Sequence, residues 1–524
     1  MHRRDILTTG LALPVALASP SIVRAENTRT LKFVPQSDLT VLDPIWTTAF
    51  TTRNHAFLVF DTLYGQDDSY APQLQMLAGH SQDAEARIWK LTLRDGLVFH
   101  DGTPVLARDC VASLRRWGNR DSFGQALFAA IDELSAPNDK TMLFRLKRPF
   151  PLPLALSKPG ANVPVIMPER LAETDPFKQV TEMVGSGPFR FRPDERLAGS
   201  RVVYERFDRY RPRGDGVVSF TAGPKVARFD RVEWVVIPDP ATAHAALQSG
   251  EVDWWELPLH DLLPAVRQNS QLRVSTLDPT GMMGMMRPNF LFPPFDNPAF
   301  RLALAGAVTQ SDFMTAVAGS DRQMWRDGVG AFCPMSPFAS PVASAASPGN
   351  IEVARQAVKA SGYNGEKVVL LGVNDIPSVK MLCDVGADLL TRCGLNVDHA
   401  AMDAGSMVQR RAKMDAPDQG GWSVFFTYWG GLDMFNPAAT AALRGNGRSG
   451  WFGWPTMPRL EELRQSWLDA ADLAEQKAVA VQIQQLCDAE VPFYPLGQLF
   501  QPTAHRAGLS GLLKGFPLFW NVSA

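Results

Sequence analysis

Leu91-Thr92-Leu93-Arg94-Asp95-Gly96-Leu97-Val98-Phe99-His100-Asp101-Gly102-Thr103-Pro104, with Ala107-Arg108-Asp109-Cys110-Val111-Ala112-Ser113-Leu114 after it, is the stretch that decides how this chain folds. From Arg87 to Phe99, Trp89, Leu91 and Leu93 alternate with Lys90, Thr92 and Arg94, which is the period of a half-buried strand. Asp95-Gly96 and Asp101-Gly102 supply turns. Cys110, Val111, Leu114 and Trp117 then recur at three- and four-residue spacing, predicting an amphipathic helix with Arg115 and Arg116 facing out.

Working outward, Val232 to Ile237 is a short apolar run suited to a buried strand. Asp239 can cap a helix that opens on Pro240 and ends at Gly250, and Val252 to Trp255 starts the next strand. Strand, helix and strand in that order build mixed α/β sheets. Val368 to Val373, Ser378 to Cys393 and Leu395 to Ala400 repeat the mixture, predicting a second α/β lobe. Leu460, Leu463 and Trp467, then Val479, Ile483 and Leu486, mark two amphipathic helices near the end.

The 524 residues, 45% hydrophobic and 20% charged, can bury a large core divided among more than one compact unit. Residues 1 to 25 join Arg3-Arg4, an apolar stretch from Leu11 to Val23, and Val23-Arg24-Ala25, the pattern of a removable export signal. Pro14 and Pro20 argue against the other readings, a spanning anchor or a buried first helix. Arg3-Arg4-Asp5-Ile6-Leu7 resembles the twin-arginine pattern, and the general secretory route stays open beside it. Without those residues the chain holds 49 basic against 53 acidic side chains, and no clustered positive face points to nucleic acid. The five cysteines, Cys110, Cys333, Cys383, Cys393 and Cys487, show no metal-ligand spacing and read as small buried thiols.

No catalytic constellation emerges. The eight histidines are scattered, no G-x-S-x-G elbow is present, and Gly185-Ser186-Gly187-Pro188 reads as a turn before a strand through Phe189 and Phe191. The expectation is a protein without catalytic residues, bound metal or cofactor.

Several segments, in order along the chain, resemble one family: the family 5 solute-binding proteins that serve dipeptide, oligopeptide and nickel importers. They are the opening stretch above, Phe60-Asp61-Thr62-Leu63-Tyr64, Val184-Gly185-Ser186-Gly187-Pro188-Phe189, Ile237 to Thr242 with Ala246 to Asp253, Asn289, Pro294-Phe295-Asp296, and Arg301-Leu302-Ala303-Leu304. The resemblance implies an α/β, bilobal periplasmic-binding-protein fold of type II with an extra subdomain inserted in the N-terminal lobe. On that plan residues 26–60 start lobe I, 61–182 form the insert, 183–278 continue lobe I, 279–490 form lobe II, and 491–524 complete lobe I. It further implies a periplasmic monomer that closes on a small-molecule or short-peptide ligand and docks on the permease subunits of an ABC transporter in the inner membrane.

Candidate ligand contacts follow. Trp254 and Trp255 stand after the implied crossover strand; adjacent residues of a strand face opposite sides, so at most one lines a cleft and core packing is the other reading for each. Tyr428-Trp429-Gly430-Gly431-Leu432-Asp433 resembles the loop where peptide-binding members set an acidic residue against the ligand's amino group. Counted back from Pro437 the acid is Asp433; counted forward from Trp429 its place falls on Leu432, so the loop carries an extra residue or an altered site. A solvated turn carboxylate is the alternative for Asp433. Arg287, beside Asn289, can present a fork to a ligand carboxylate or serve as an exposed or ion-paired arginine. Two other functions stay open: a periplasmic cofactor enzyme exported folded, and a binding protein for a non-peptide carboxylated or aromatic solute.

Overall fold

The computed structural model describes residues 29–340, 349–470 and 472–524, and the export signal read over residues 1–25 lies outside them. Two large sheets dominate. The first holds seven strands in the order Phe189–Phe191, Arg201–Arg206, Arg231–Val235, Thr30–Val34, Trp254–Trp255, Thr503–Arg506 and Leu272–Ser275. Thr30–Val34 runs parallel to its two neighbours, and the outer pairings are antiparallel. The second holds six: Trp325–Arg326, Tyr494–Leu499, Met282–Pro288, Val424–Gly430, Lys367–Val373 and Asn396–Met402. A separate antiparallel sheet of four, Leu77–Gln82, Ile88–Leu93, Thr141–Leu146 and Ile131–Ser135, marks the inserted subdomain. The chain leaves the seven-stranded sheet through residues 276–281 and returns to it through residues 500–502, so the molecule is bilobal.

The opening stretch folds as its alternation demands. In Ile88–Leu93 the side chains of Trp89, Leu91 and Leu93 are buried and their neighbours exposed. The helix Ala107–Gly118 buries Cys110, Val111, Leu114 and Trp117. Arg115 faces solvent as expected, but Arg116 does not: it is 1% exposed and pairs with Asp43 at 2.6 Å, donating also to the carbonyls of Asp175 and Lys178. Helical periodicity cannot anticipate a charged side chain turned inward when its partner lies 73 residues away.

Asp239 caps the helix Pro240–Ser249 by accepting from the Thr242 N–H at 2.7 Å, and Gly250 ends it at φ 79°. Gly185 and Gly187 are glycines because the Leu58–Val59 backbone lies against them: a Cβ on Gly185 would sit 2.1 Å from the Val59 carbonyl oxygen. Trp254, Phe33, Trp234 and Phe519 interlock with ring centroids 5.0 to 5.9 Å apart, gathering strands and the chain's end around one core. All five cysteines are buried free thiols.

Asp61, at the start of the insert, accepts from Lys225 Nζ at 2.7 Å and from the Tyr210 hydroxyl at 3.0 Å, with Lys225 wholly enclosed. Removing one partner of such a pair leaves an uncompensated buried charge. Lys225→Met is therefore expected to lower unfolding free energy by about 3–5 kcal/mol, read as a fall in urea midpoint. Adding Asp61→Asn should recover part of that loss. An unchanged midpoint for the single variant would refute the assignment.

Candidate functional site

The two crossings between lobes lie side by side. Gly281 adopts φ 56°, and a Cβ there would sit 2.5 Å from the Leu499 carbonyl oxygen. Thr280 is held from both directions: its N–H and hydroxyl donate to Asp278 Oδ1 at 2.8 and 2.6 Å, and its carbonyl accepts from Gln498 Nε2 at 2.6 Å. Gly431 packs on that carbonyl so closely that a Cβ would lie 2.2 Å from it, and its N–H donates to the Gly281 carbonyl.

Beside this junction is a narrow cavity of about 70 Å³ whose walls include Arg53, Glu256, Asp278, Gly430, Gln501 and Phe516. Arg53 comes from the helix Phe50–Val59 and lies 4.8 Å from the Phe50 ring centroid and 3.9 Å from that of Phe516. Its Nε and Nη2 donate to Asn54 Oδ1 at 3.3 and 3.1 Å; Asn54 donates in turn to Glu256 Oε1, while Glu256 Oε2 accepts from the Gln36 N–H. Burial pushes the Arg53 pKa down, against the opposing pull of Asp433, Asp278 and Glu256. Burial likewise pushes Glu256 and Asp278 up.

A larger cavity of about 450 Å³ opens between the insert and lobe II, with Tyr70, Phe123, Lys158, Phe338, Leu432 and Phe435 among its walls. Tyr70, in the wall of this cavity, packs at a tilt on Phe435 at 4.8 Å between centroids. Asp433 reaches from lobe II to the insert. Its Oδ1 accepts from the Ala161 N–H of the insert at 2.8 Å, and a Cβ on Gly430 would lie 3.0 Å from its Oδ2. Asp433 is 2% exposed, and Oδ2 has no hydrogen-bond partner among the described residues. Burial raises its pKa, opposed in order by Lys158, the Ala161 N–H and Arg53. An enclosed carboxylate oxygen without a donor is costly, which marks a place where an incoming donor would be rewarded.

The other residues singled out from sequence go elsewhere. Trp254 is sealed in the aromatic core with its indole N–H on Thr503 Oγ1 at 2.6 Å, and Trp255 packs on the opposite face with Val34, Ala243 and Leu247. Neither borders a cavity described above; the same segment delivers the next residue, Glu256, instead. Arg287 is fully buried in lobe II, its Nε and Nη1 donating to the carbonyls of Phe452, Ala442 and Pro492 at 2.7 to 3.0 Å while Nη2 has no partner, and among the described residues it makes no ion pair. Asn289 is likewise structural: its Nδ2 donates to the Trp422 carbonyl and its Oδ1 accepts from the Leu291 N–H. Trp429 packs on Trp451 at 5.1 Å, and neither it nor Tyr428, both half-buried, has a partner for its polar atom among the described residues. Asp433 is thus buried and not a solvated turn carboxylate. Arg53, Asp278, Lys158 and Tyr70 were missed because nothing in their neighbours' spacing links elements so far apart.

Residues 71–451 match the model of the bacterial extracellular solute-binding proteins, family 5 middle region. The chain is 36% identical, over all of its length and 99% of the relative's, to a probable peptide ABC transporter periplasmic-binding protein of Sinorhizobium fredii. It is 24% identical, over 82% of its length and 79% of the relative's, to a glutathione-binding protein of Pectobacterium atrosepticum. Among solved structures it resembles the binding protein AgaA of A. tumefaciens in complex with agropinic acid (TM-score 0.79, 20% identity, 94% of this chain and 98% of that one). It also resembles a dipeptide-binding protein of Pseudoalteromonas with Met-Leu (TM-score 0.77, 18% identity, 94% and 99%).

Two outcomes are expected. A carboxylate whose folded pKa is raised binds its proton more tightly in the native chain than in the unfolded one, so its contribution to stability falls as pH rises from the ordinary carboxylate value, about 3.9, through the raised one. The stability of the wild type relative to Asp433→Asn should therefore decline from pH 4 to pH 7, measured by urea midpoints; a flat difference would count against a raised pKa. Arg287→Ala should cost about 3 kcal/mol or more by orphaning three buried carbonyls, while ligand affinity in the folded fraction stays unchanged.

Proposed function

The chain belongs to the family 5 bacterial extracellular solute-binding proteins, and we propose that it works as the periplasmic binding component of an ABC transporter for a peptide or peptide-like solute. One observation carries the reading: the enclosed Asp433 carboxylate, placed at the meeting of insert, lobe I and lobe II, with one oxygen held and the other unpartnered. An ammonium group satisfies such an oxygen by a charge-assisted hydrogen bond, worth roughly 1.5–3 kcal/mol.

The chain passes between the lobes through residues 276–281 and 500–502, and the lobes rotate about these crossings. Opening parts Ala161 from Asp433 and admits solute. Closing returns the insert over it, with the bulk of the solute in the larger cavity against Tyr70, Phe123 and Phe435. The closed surface is what the permease subunits read, and the protein acts as a monomer without chemistry of its own. Trp429 and Tyr428 support the wall behind Asp433 from the strand Val424–Gly430.

A thermal-shift panel of dipeptides, short peptides, glutathione, amino acids and opine-type acids tests this. A solute held at a hundredfold its Kd stabilises by about 2.7 kcal/mol, enough to raise the midpoint visibly. One class is expected to do so with one-to-one stoichiometry, and Asp433→Ala to weaken it by roughly tenfold or more. No shift with any class, from protein shown by mass spectrometry to be free of carried-over ligand, would refute the reading.

A further inference from the structure

Arg53 is the one charged group at the junction cavity whose chemistry is left unspent. Its two ring neighbours cover the faces of the guanidinium, and Asn54 takes Nε and Nη2. Among the described residues it makes no ion pair, although three carboxylates lie within electrostatic reach. Each of those has other work: Glu256 on Gln36 and Asn54, Asp278 Oδ1 on Thr280, Asp433 Oδ1 on Ala161. Nη1 has no hydrogen-bond partner among the described residues, and Arg53 lines the cavity of about 70 Å³.

We propose that Arg53 is the receptor for a carboxylate of the solute, and that the solute therefore carries a carboxylate and an ammonium group together. The inference rests on the solute-binding reading above and adds to it the group at the other end. A guanidinium flanked by aromatic rings is poorly hydrated, so an incoming carboxylate displaces little water and gains a charge-assisted bond. The cavity takes a group of carboxylate size and leaves the remainder of the solute for the chamber of about 450 Å³. Asp278 and Asp433 repel a second anion, which disfavours dianionic solutes without an ammonium group. Arg287, the arginine the sequence offered for this task, is enclosed within lobe II among main-chain carbonyls and lines neither cavity.

Two measurements test it. In the first, protein labelled with 15N-arginine is titrated with sodium acetate and, separately, with acetamide at matched ionic strength, and the Arg53 Nε–H resonance, assigned with Arg53→Lys, is followed. A saturable shift with acetate and none with acetamide is expected; no shift, or equal shifts, overturns the proposal without reference to peptides. In the second, a dipeptide library mixed with its C-terminal amides is captured on the protein and read by mass spectrometry after denaturation. Wild type should retain free acids over amides by roughly tenfold or more, Arg53→Gln should bring that ratio towards one, and Arg53→Lys should restore part of it. An unchanged ratio in Arg53→Gln sinks the proposal. Should acetate saturate while neither dipeptide form is retained, the peptide reading fails and the carboxylate receptor stands.

Discussion

The outgoing crossing between the two lobes is fixed at Thr280. Its carbonyl is pressed between Gly431 and the Gln498 amide while its N–H and hydroxyl are clamped by Asp278, so one residue ties the outgoing crossing, the return strand and the loop that bears Asp433. In the proposed closure such a joint favours rotation of the lobes over sliding, because main chain already lies against Gly281 and Gly431 with no room for a Cβ. The precision of the cleft follows. Asp433 lies just beyond Gly431, which packs on the Thr280 carbonyl, while Arg53 and Glu256 reach the same junction from the helix Phe50–Val59 and the end of the strand Trp254–Trp255.

That placement has an electrostatic cost. Three carboxylates, all pushed up by burial, share the neighbourhood of a single guanidinium. Two buried pairs elsewhere are matched, Arg116 with Asp43 and Lys225 with Asp61, and their carboxylates take further donors from the Val180 N–H and the Tyr210 hydroxyl. The contrast separates charge used to hold the fold from charge kept for something that arrives later.

The fold was readable because its signals are local. Alternation in Ile88–Leu93, the Asp239 and Gly250 caps, and the strand, helix, strand order from Lys367–Val373 to Asn396–Met402 all arise within a few residues of one another. The site was readable only in part. Asp433 stood out through its loop, yet Arg53, Asp278 and Lys158 belong to segments whose only common property is where they end up. Arg287 misled for the same reason Arg116 did: a long cation looks outward in sequence, and only tertiary structure shows a ring of carbonyls waiting for it. Trp254 and Trp255 were correctly split to opposite faces, but both faces of that sheet are covered.

The strand Thr503–Arg506 lies inside the seven-stranded sheet, between Trp254–Trp255 and Leu272–Ser275, and not at its edge. This interior plank is thus synthesised after the other strands of its sheet and after those of lobe II. Until it arrives, two neighbours present bare backbone edges and Trp254 lacks the hydroxyl that receives its indole N–H. Lobe I cannot be finished before the whole of lobe II has been made, so a nascent or truncated chain is left with sticky, half-built sheet whichever compartment it occupies.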